Sequence, residues 1–237
     1  GVTSLIHRSL EMTVAMFAVL RCGAYYLAVD PYWPADRVKF ILKDSNSKFL
    51  ILNEKYIDTF KDDATCINVD NILDLPDVKE NVEFKYDVNS LVYTIYTSGT
   101  TGKPKGILTS NYNVVYLLNS TRNRLVQDEN DIWVLFHTYT FDFSTWEIYA
   151  SLLFGGKLVI VPKETTLSPK EFLKLLVKEK VTILNQTPAY FYKVIEEEKA
   201  LNLAPDELSL RAILVGGEAV YAKPFRYWKE KYPNTTL

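Results

Sequence analysis

Cysteine is scarce in this sequence, in which Cys22 and Cys66 are the only two among 237 residues. Neither lies in a Cys-x-x-Cys motif or in a cluster of cysteine and histidine. Because thiolate metal sites need such spacing, the sequence excludes a zinc centre of that type, and we expect no metal ligand in this chain. We expect the two thiols to be reduced and buried.

An excess of charge of either sign is also absent. The 27 basic and 29 acidic residues are spread along the whole chain. No basic stripe is left for nucleic acid or an anionic membrane surface, so we expect neither partner. No apolar run approaches the roughly 18 to 20 residues that a membrane span needs, and the N-terminus lacks the pattern of a signal peptide. We therefore expect a soluble, cytoplasmic protein.

The sequence does contain enough apolar residues for a large core, because 48% of them are hydrophobic. Short apolar, β-branched runs alternate with amphipathic helical patterns, which is typical of parallel sheets covered by helices. The predicted fold class is α/β, with two α/β subdomains packed together and a junction between residues 90 and 130. A single doubly wound sheet is the alternative. Strands are predicted at 24–29, 49–52, 66–69, 91–96, 132–136, 157–162, 181–185 and 211–215, and helices at 8–21, from 34 onward, and at 110–125, 144–153, 169–179, 188–197 and 222–231.

A run rich in glycine, hydroxyl groups and lysine follows the predicted strand 91–96. Its glycines let backbone amides approach an anion, its hydroxyls add donors, and its lysines add positive charge. This inventory suits a polyphosphate, whereas a plain polar turn, the alternative, needs neither so many donors nor the lysines. A Walker loop is disfavoured, because Gly99 and Gly102 are too close and Pro104 follows Lys103. The candidate phosphate-binding residues are Thr97, Ser98, Gly99, Thr100, Thr101, Gly102 and Lys103, and Lys105 is a candidate catalytic residue.

The run from Thr97 to Gly106 resembles the signature loop of the adenylate-forming superfamily. That superfamily includes acyl-CoA synthetases, luciferases and the adenylation domains of nonribosomal peptide synthetases. The resemblance implies that the loop holds the β- and γ-phosphates of ATP while a carboxylate attacks the α-phosphorus and pyrophosphate leaves. Catalysis of this kind consists mostly of positioning and charge stabilisation. On the loop alone, an acyl- or aryl-CoA ligase is equally consistent.

Two further stretches favour the peptide-synthetase branch. Residues 21–31, RCGAYYLAVDP, are similar to the Gly-Ala-Tyr-Leu-Pro-Asp-Pro element of adenylation domains, with departures at Tyr25 and Ala28. Residues 137–147, HTYTFDFSTWE, resemble the Phe-Asp-x-Ser segment at the entry of the amino-acid pocket. The resemblance implies that Asp142 binds the substrate's α-amino group. The alternative is that Asp142 only caps the predicted helix 144–153, which would stabilise the helix by about 0.3–1 kcal/mol. It also makes His137 a candidate catalytic residue near the site entrance, with a packed side chain as the alternative.

Residues 182–188 and 213–219 complete the resemblance, each at the carboxyl end of a predicted parallel strand, where open α/β sheets bind ligands. The resemblance assigns Gly216, Gly217 and Glu218 to the adenine side, although a strand-to-helix turn also explains the glycines. The aromatic side chains of Phe143 and Trp146 would make the pocket shallow. The side-chain amide of Asn185 can both donate and accept hydrogen bonds. This partial set resembles a threonine-type pocket, so we expect L-threonine or another small polar amino acid. The implied pocket residues are Asp142, Phe143, Trp146, Asn185, Leu214 and Gly216.

The resemblance makes residues 1–237 the N-terminal core of an adenylation domain whose C-terminal mobile lobe is absent. In the family, the Mg²⁺ ligand, the ribose partner and a lobe lysine would follow Leu237, and the phosphopantetheine arm of a partner carrier domain would accept the acyl group. Because transition-state contacts act as a unit, we expect this chain alone, without the remainder of the domain, to be nearly inactive. The alternative from a different class is an isolated, non-catalytic folding or interaction module.

Overall fold

A computed structural model describes residues 1–70, 72–74, 87–98, 103–125 and 127–237. The contacts of the chain divide it into two compact units, each of which contains one sheet. Unit 1 comprises Gly1–Leu117 and Thr138–Asp142, and unit 2 comprises Leu118–His137 and Phe143–Leu237. The strands are mostly parallel and alternate with helices, so the predicted α/β class is confirmed.

The described part of unit 1 contains a six-stranded sheet. Its strands are β1 (Val2–Leu5), β2 (Tyr26–Ala28), β3 (Phe49–Leu52), β4 (Thr65–Asn68), β5 (Leu91–Thr97) and β6 (Lys105–Ser110). They lie in the order β4-β3-β1-β2-β5-β6, and all pairings are parallel except that of β6 with β5. The helices are α1 (Leu10–Arg21), α2 (Ala35–Asp44), α3 (Ile57–Phe60) and α4 (Asn111–Leu125), and the boundary between the units falls within α4.

Local sequence explains how unit 1 forms. Helix α1 begins where the Ser9 hydroxyl accepts a hydrogen bond of 3.2 Å from the amide of Met12. It ends before Gly23, whose φ of 71° is a conformation that glycine adopts without strain. Apolar side chains from β1, β2, β3 and α2 form the core, among them Leu5, Leu27, Ile41 and Leu50. Burying one such side chain contributes about 1.5–3 kcal/mol.

The described part of unit 2 contains a four-stranded parallel sheet. Its strands are β7 (Ile132–Leu135), β8 (Lys157–Ile160), β9 (Ile183–Gln186) and β10 (Ala212–Val215), in the order β10-β9-β7-β8. The helices are α5 (Phe143–Leu153), α6 (Lys163–Thr166), α7 (Pro169–Lys178), α8 (Pro188–Leu201) and α9 (Ala222–Lys231). Apolar faces of α7, α8 and α9 fill its core with Phe172, Phe191, Ile195 and Trp228. Beyond α9, Thr236 pairs in parallel with Ala212.

Two strands were not predicted from the sequence. Strand β1 carries Thr3 and Ser4, so it lacks a continuous apolar run, yet both residues are buried in the middle of the sheet. Strand β6 is mostly exposed, and Ile107 and Leu108 face solvent on alternate sides of it. A search for apolar runs therefore misses both strands. Strand β1 is buried although it contains polar residues, and β6 is an edge strand that is exposed although it contains two apolar residues.

The expectation of two buried thiols is wrong. Cys22 is exposed because it follows the last turn of α1, and Cys66 is half-buried because β4 is an edge strand. Burial, followed by the charge of Asp63, raises the pKa of the Cys66 thiol. No helix among the described residues is both long and apolar enough to cross a membrane.

Candidate functional site

The predicted phosphate loop connects two antiparallel strands, β5 and β6. Thr97 and Ser98 are exposed at the end of β5, and Lys103 and Lys105 are exposed where the chain enters β6. Thr97 and Lys105 are direct partners across the two strands. The predicted residues Gly99, Thr100, Thr101 and Gly102 lie outside the described residues. The described flanks thus present two hydroxyls and two ammonium groups on the surface of unit 1.

Tyr96 and Gly106 form the base of this hairpin and lie opposite each other. The Tyr96 hydroxyl donates a hydrogen bond of 2.7 Å to Asp44, and burial together with this bond raises the pKa of Tyr96. A side chain at Gly106 would place its Cβ 3.1 Å from the Tyr96 ring and from Thr94. Glycine at this position therefore lets β6 lie directly on the ring that anchors β5.

The segment Thr138–Asp142 belongs to unit 1, where Tyr139 is its anchor. The Tyr139 hydroxyl lies 2.7 Å from the carbonyl of Ser4 and 2.8 Å from that of Val29, and it accepts from the amide of Ile6 at 3.1 Å. Burial raises the pKa of Tyr139, so the hydroxyl stays protonated and able to donate. These bonds hold the segment against the ends of two parallel strands.

Asp142 ends this segment and immediately precedes α5. Its side chain is exposed, and its carboxylate forms no hydrogen bond or ion pair with the residues that the structure describes. A carboxylate in this state is available to an external cation.

His137 and Glu147 form a buried pair in unit 2. His137 Nδ1 lies 2.6 Å from Glu147 Oε1, and the two side chains are 8% and 1% exposed. Glu147 Oε2 accepts from the backbone amides of Phe136 and His137, each at 3.2 Å. The His137 ring also meets the Phe143 ring edge to face, with the centroids 5.1 Å apart. His137 is therefore a packed side chain with a fixed ring orientation.

Phe143 contacts two of the other predicted pocket positions, Asn185 and Gly216. Its carbonyl accepts a hydrogen bond of 3.3 Å from Asn185 Nδ2, at the carboxyl end of β9. Its ring covers Gly216, where an added Cβ would lie 3.2 Å from Phe143 Cζ. Leu214 is the partner of Asn185 across the two strands. Four predicted residues thus lie together at the carboxyl edge of the unit 2 sheet, where open α/β sheets bind ligands.

Trp146 and Glu218 are held by contacts of their own. Trp146 is 5% exposed, packs edge to face on Trp133, and donates from Nε1 to the Thr121 hydroxyl at 3.0 Å.

Glu218 is exposed and accepts a hydrogen bond of 3.2 Å from the amide of Ala189, in the first turn of α8. Gly217 has a φ of 84°, a left-handed conformation that explains the glycine.

Glu147 is the residue that sequence reasoning passed over. It stands in α5, whose sequence FSTWEIYASLL contains no other charged residue. A single carboxylate inside an apolar helix is a sequence signal for a buried, partnered charge. Neither its partner His137 nor the amides it binds is readable from the sequence.

A cavity of about 740 Å³ lies in unit 1, apart from every predicted site residue. It is lined by four lysines and two aspartates around the end of α2 and the starts of β3 and β4, and Lys39 is paired there with Asp63. Among the described residues, no three His, Cys, Asp or Glu side chains are grouped so that they could hold a metal ion.

The sequence profile of the AMP-binding enzymes matches residues 2–237, so the chain belongs to that family. The dimodular nonribosomal peptide synthase of Bacillus subtilis (strain 168) is 40% identical over 96% of this chain and 10% of its own length. Syringomycin synthase SyrB1 of Pseudomonas syringae pv. syringae is 35% identical, over 95% of this chain and 36% of its own length. Gramicidin S synthase 2 of Brevibacillus brevis is 30% identical, over 98% of this chain and 5% of its own length. The predicted relationship to nonribosomal peptide synthetases is confirmed, and the chain spans only a small part of each of these relatives.

Solved structures confirm the fold. The nonribosomal peptide synthetase FmoA3 bound to alpha-methyl-L-serine-AMP matches 99% of this chain and 26% of its own, with a TM-score of 0.88 and 21% identity. O-succinylbenzoate coenzyme A synthetase (MenE) from Bacillus subtilis, in complex with AMP, matches 97% of this chain and 46% of its own, with a TM-score of 0.84 and 23% identity. One fold therefore serves enzymes with different acid substrates, so the substrate must be argued from the site.

Proposed function

We propose that this chain forms part of a ligase that activates an amino acid, with L-threonine as the preferred substrate. The amino-acid carboxylate would attack the α-phosphorus of ATP. The bond from that phosphorus to the bridging oxygen would break, which yields an aminoacyl-adenylate and pyrophosphate. The observation that carries the proposal is the grouping of Phe143, Asn185, Leu214 and Gly216 at one edge of the unit 2 sheet.

Asp142 distinguishes an amino acid from a simple carboxylic acid. Its carboxylate is exposed and lacks a partner among the described residues, and it is joined directly to Phe143 of the pocket group. An α-ammonium group would supply the missing positive charge through a charge-assisted hydrogen bond. Fatty and aryl acids carry no such group, which favours amino-acid activation over a CoA ligase for such acids.

Asn185 favours a small side chain with a hydroxyl group. One proton of its Nδ2 is donated to the Phe143 carbonyl, which orients the amide, and its Oδ1 would accept a hydrogen bond from a substrate donor. A threonine hydroxyl would donate to that oxygen, whereas valine would leave it unsatisfied. Phe143 and Trp146 would limit the depth of the pocket, because each side chain is held by its own contacts.

The predicted nucleotide-binding residues remain assignments by resemblance. We assign the phosphates to Thr97, Ser98, Lys103 and Lys105 and to the four loop residues 99–102, and the adenine side to Gly216, Gly217 and Glu218. The exposed hydroxyls and lysines of the loop flanks have the donors and charge that a polyphosphate needs. Lys105 would stabilise charge on the leaving phosphates. His137 would support the pocket by its packing.

The described residues do not fit Mg²⁺, because nowhere among them do three carboxylate, imidazole or thiolate side chains lie close enough together to hold a metal ion. We therefore assign no ligand to it and no step through it. The peptide synthetases that resemble this chain are far longer than it. We propose that a carrier domain with a phosphopantetheine arm accepts the acyl group, that the enzyme works in the cytoplasm, and that residues 1–237 alone are nearly inactive.

The test is amino-acid-dependent exchange of pyrophosphate into ATP by the full-length protein that carries this chain. Threonine should give the highest kcat/KM in a panel with serine, valine, leucine and phenylalanine. Exchange driven by fatty or aryl acids, or no preference for threonine over leucine, would contradict the proposal. Asn185→Leu should shift the preference toward valine or leucine. Asn119→Leu, at an exposed position of α4, is the control and should leave the profile unchanged.

A further inference from the structure

We propose that Glu147 is a positioning residue for the amino-acid pocket, and that it acts on Phe143 through His137. This inference rests on the proposed function and adds to it a residue that touches neither substrate. His137 would transmit the position of Glu147 to Phe143, because it contacts both side chains.

The burial of Glu147 is the first step of the argument. A carboxylate that is 1% exposed loses its hydration, and this loss must be offset by donors. Glu147 has three within reach, namely the amides of Phe136 and His137 and the ring nitrogen His137 Nδ1. All three belong to the two residues that directly follow β7. The carboxylate therefore fixes the exit of that strand and the plane of the His137 ring together.

The second step is the contact between the two rings. The His137 ring contacts the rings of Phe136 and Phe143, at centroid distances of 5.3 and 5.1 Å and interplanar angles of 71° and 79°. Edge-to-face contacts depend on orientation, so a rotation of the imidazole would displace the Phe143 ring. That ring is also closely packed against Gly216, where an added Cβ would lie 3.2 Å from Phe143 Cζ, so a displaced ring would disturb this pocket position as well.

The third step is that Phe143 also sets the position of Asn185. The bond from Asn185 Nδ2 to the Phe143 carbonyl is 3.3 Å long, near the limit of a hydrogen bond. This carbonyl is main chain at the start of α5, the helix that carries Glu147, so loosening Glu147 from the amides that follow β7 would let this end of the helix move and weaken the bond. Glu147 thus acts on two pocket positions, on the Phe143 ring through the imidazole and on Asn185 through the start of α5.

Glu198 provides a matched control within the same unit. It is 0% exposed and accepts hydrogen bonds from Tyr227, Tyr232 and Lys231, so it joins α8 to α9. Both glutamates are buried and multiply bonded, yet only Glu147 contacts the ring that packs on Phe143. A general loss of stability should follow from either substitution, but only one should change the pocket.

The experiment compares Glu147→Gln with Glu198→Gln in the full-length protein, by pyrophosphate exchange and thermal unfolding. We expect Glu147→Gln to raise the KM for threonine about tenfold, with the KM for ATP within about twofold, because a charge-assisted bond is lost. Glu198→Gln should lower Tm without changing the threonine KM. Equal changes in both KM values, or equal effects of the two substitutions on the threonine KM, would overturn the proposal.

A second variant and a second readout keep the result decisive. If Glu147→Gln does not fold, His137→Asn should raise the threonine KM in the same way, because it removes the ring. The NMR signals of the Phe143 ring, which Phe143→Leu identifies by their loss, do not depend on catalysis. Glu147→Gln should move the Phe143 ring signals, and Glu198→Gln should not. Unmoved Phe143 signals would refute the positioning role, whereas moved signals in a protein without exchange activity would refute only the proposed function.

Discussion

Replacing Asp131 with alanine should remove the carboxylate that joins three strands of unit 2 at their amino ends. Asp131, Thr182 and Arg211 each immediately precede a strand, β7, β9 and β10 respectively. Asp131 is 3% exposed and accepts from Arg211 Nε at 2.8 Å, from Arg211 Nη2 at 2.5 Å and from the Thr182 hydroxyl at 2.8 Å. The amide of Asp128 adds a fourth bond of 3.1 Å.

The size of the effect follows from the exposure of the partners. Breaking a buried ion pair costs about 3–5 kcal/mol, because the remaining charge is left without a partner. The Arg211 side chain is 38% exposed, so water would solvate part of its charge after the substitution. We therefore expect Asp131→Ala to lower the free energy of unfolding by about 2–3 kcal/mol, a large share of the about 5–15 kcal/mol of a typical domain.

The pH dependence has a defined sign. Burial alone would raise the pKa of Asp131, but the bonds from Arg211, the Asp128 amide and Thr182 outweigh it and lower the pKa below its usual 3.8. A group whose pKa is lower in the folded state stabilises the fold above its unfolded pKa, and this contribution is lost as the pH falls through the folded pKa. The difference between the wild type and Asp131→Ala should be constant from about pH 8 to pH 5 and shrink below about pH 4.

Urea denaturation followed by tryptophan fluorescence measures this difference. Three of the four tryptophans, Trp133, Trp146 and Trp228, lie in unit 2, so the signal reports mainly on that unit. Glu129→Ala is the control, because it removes an exposed carboxylate two positions from Asp131 and leaves the bonds of Asp131 in place. A loss of less than about 0.5 kcal/mol for Asp131→Ala, the size of an ordinary surface substitution, would refute the reasoning. A difference that persists unchanged at pH 3 would also refute it.

Three further predictions concern the site. Gly216→Ala should push Phe143 by a few tenths of an ångström, because the new Cβ would lie 3.2 Å from its ring. It should raise the threonine KM by about threefold or more without changing Tm greatly, and an unchanged KM would show that Phe143 does not line the pocket. Gly217→Ala forces a side chain into a φ of 84° and should cost about 1–2 kcal/mol in urea denaturation, and a neutral result would contradict the observed backbone. Residues 1–237 alone should show negligible pyrophosphate exchange, and robust turnover would disprove our view of how much of the site they hold.

The sequence predicts elements best where a single local pattern decides them. Helix α7 follows Ser168-Pro169, and Ser168 indeed accepts from the amide of Glu171 at 3.3 Å. Strand β3 has the same bounds as its prediction because it is a short, continuous apolar run. Strand β1 fails this criterion, since its burial comes from its neighbours β2 and β3 and not from its own composition.

Contacts between distant residues are the part that the sequence could not predict. The pair of Asp131 and Arg211 joins residues 80 positions apart, and the sequence shows only two charges among many. The bonds of Glu147 join α5 to the end of β7, and they follow from the packing of that helix on the sheet. The family resemblance names pocket positions, but it does not say which side chain holds each one in place.

The direction of the chain after the predicted phosphate loop affects which groups would supply charge for the proposed binding of phosphate. In a Walker loop the chain enters a helix, and the helix N-terminus contributes backbone amides and a partial positive charge. Here the chain enters β6, which returns antiparallel to β5. A strand has almost no net dipole, so it supplies no such charge. In the proposed site, Lys103 and Lys105 would supply positive charge that a helix N-terminus supplies in a Walker loop. Lys105 is the first residue of β6 and lies directly opposite Thr97 across the two strands.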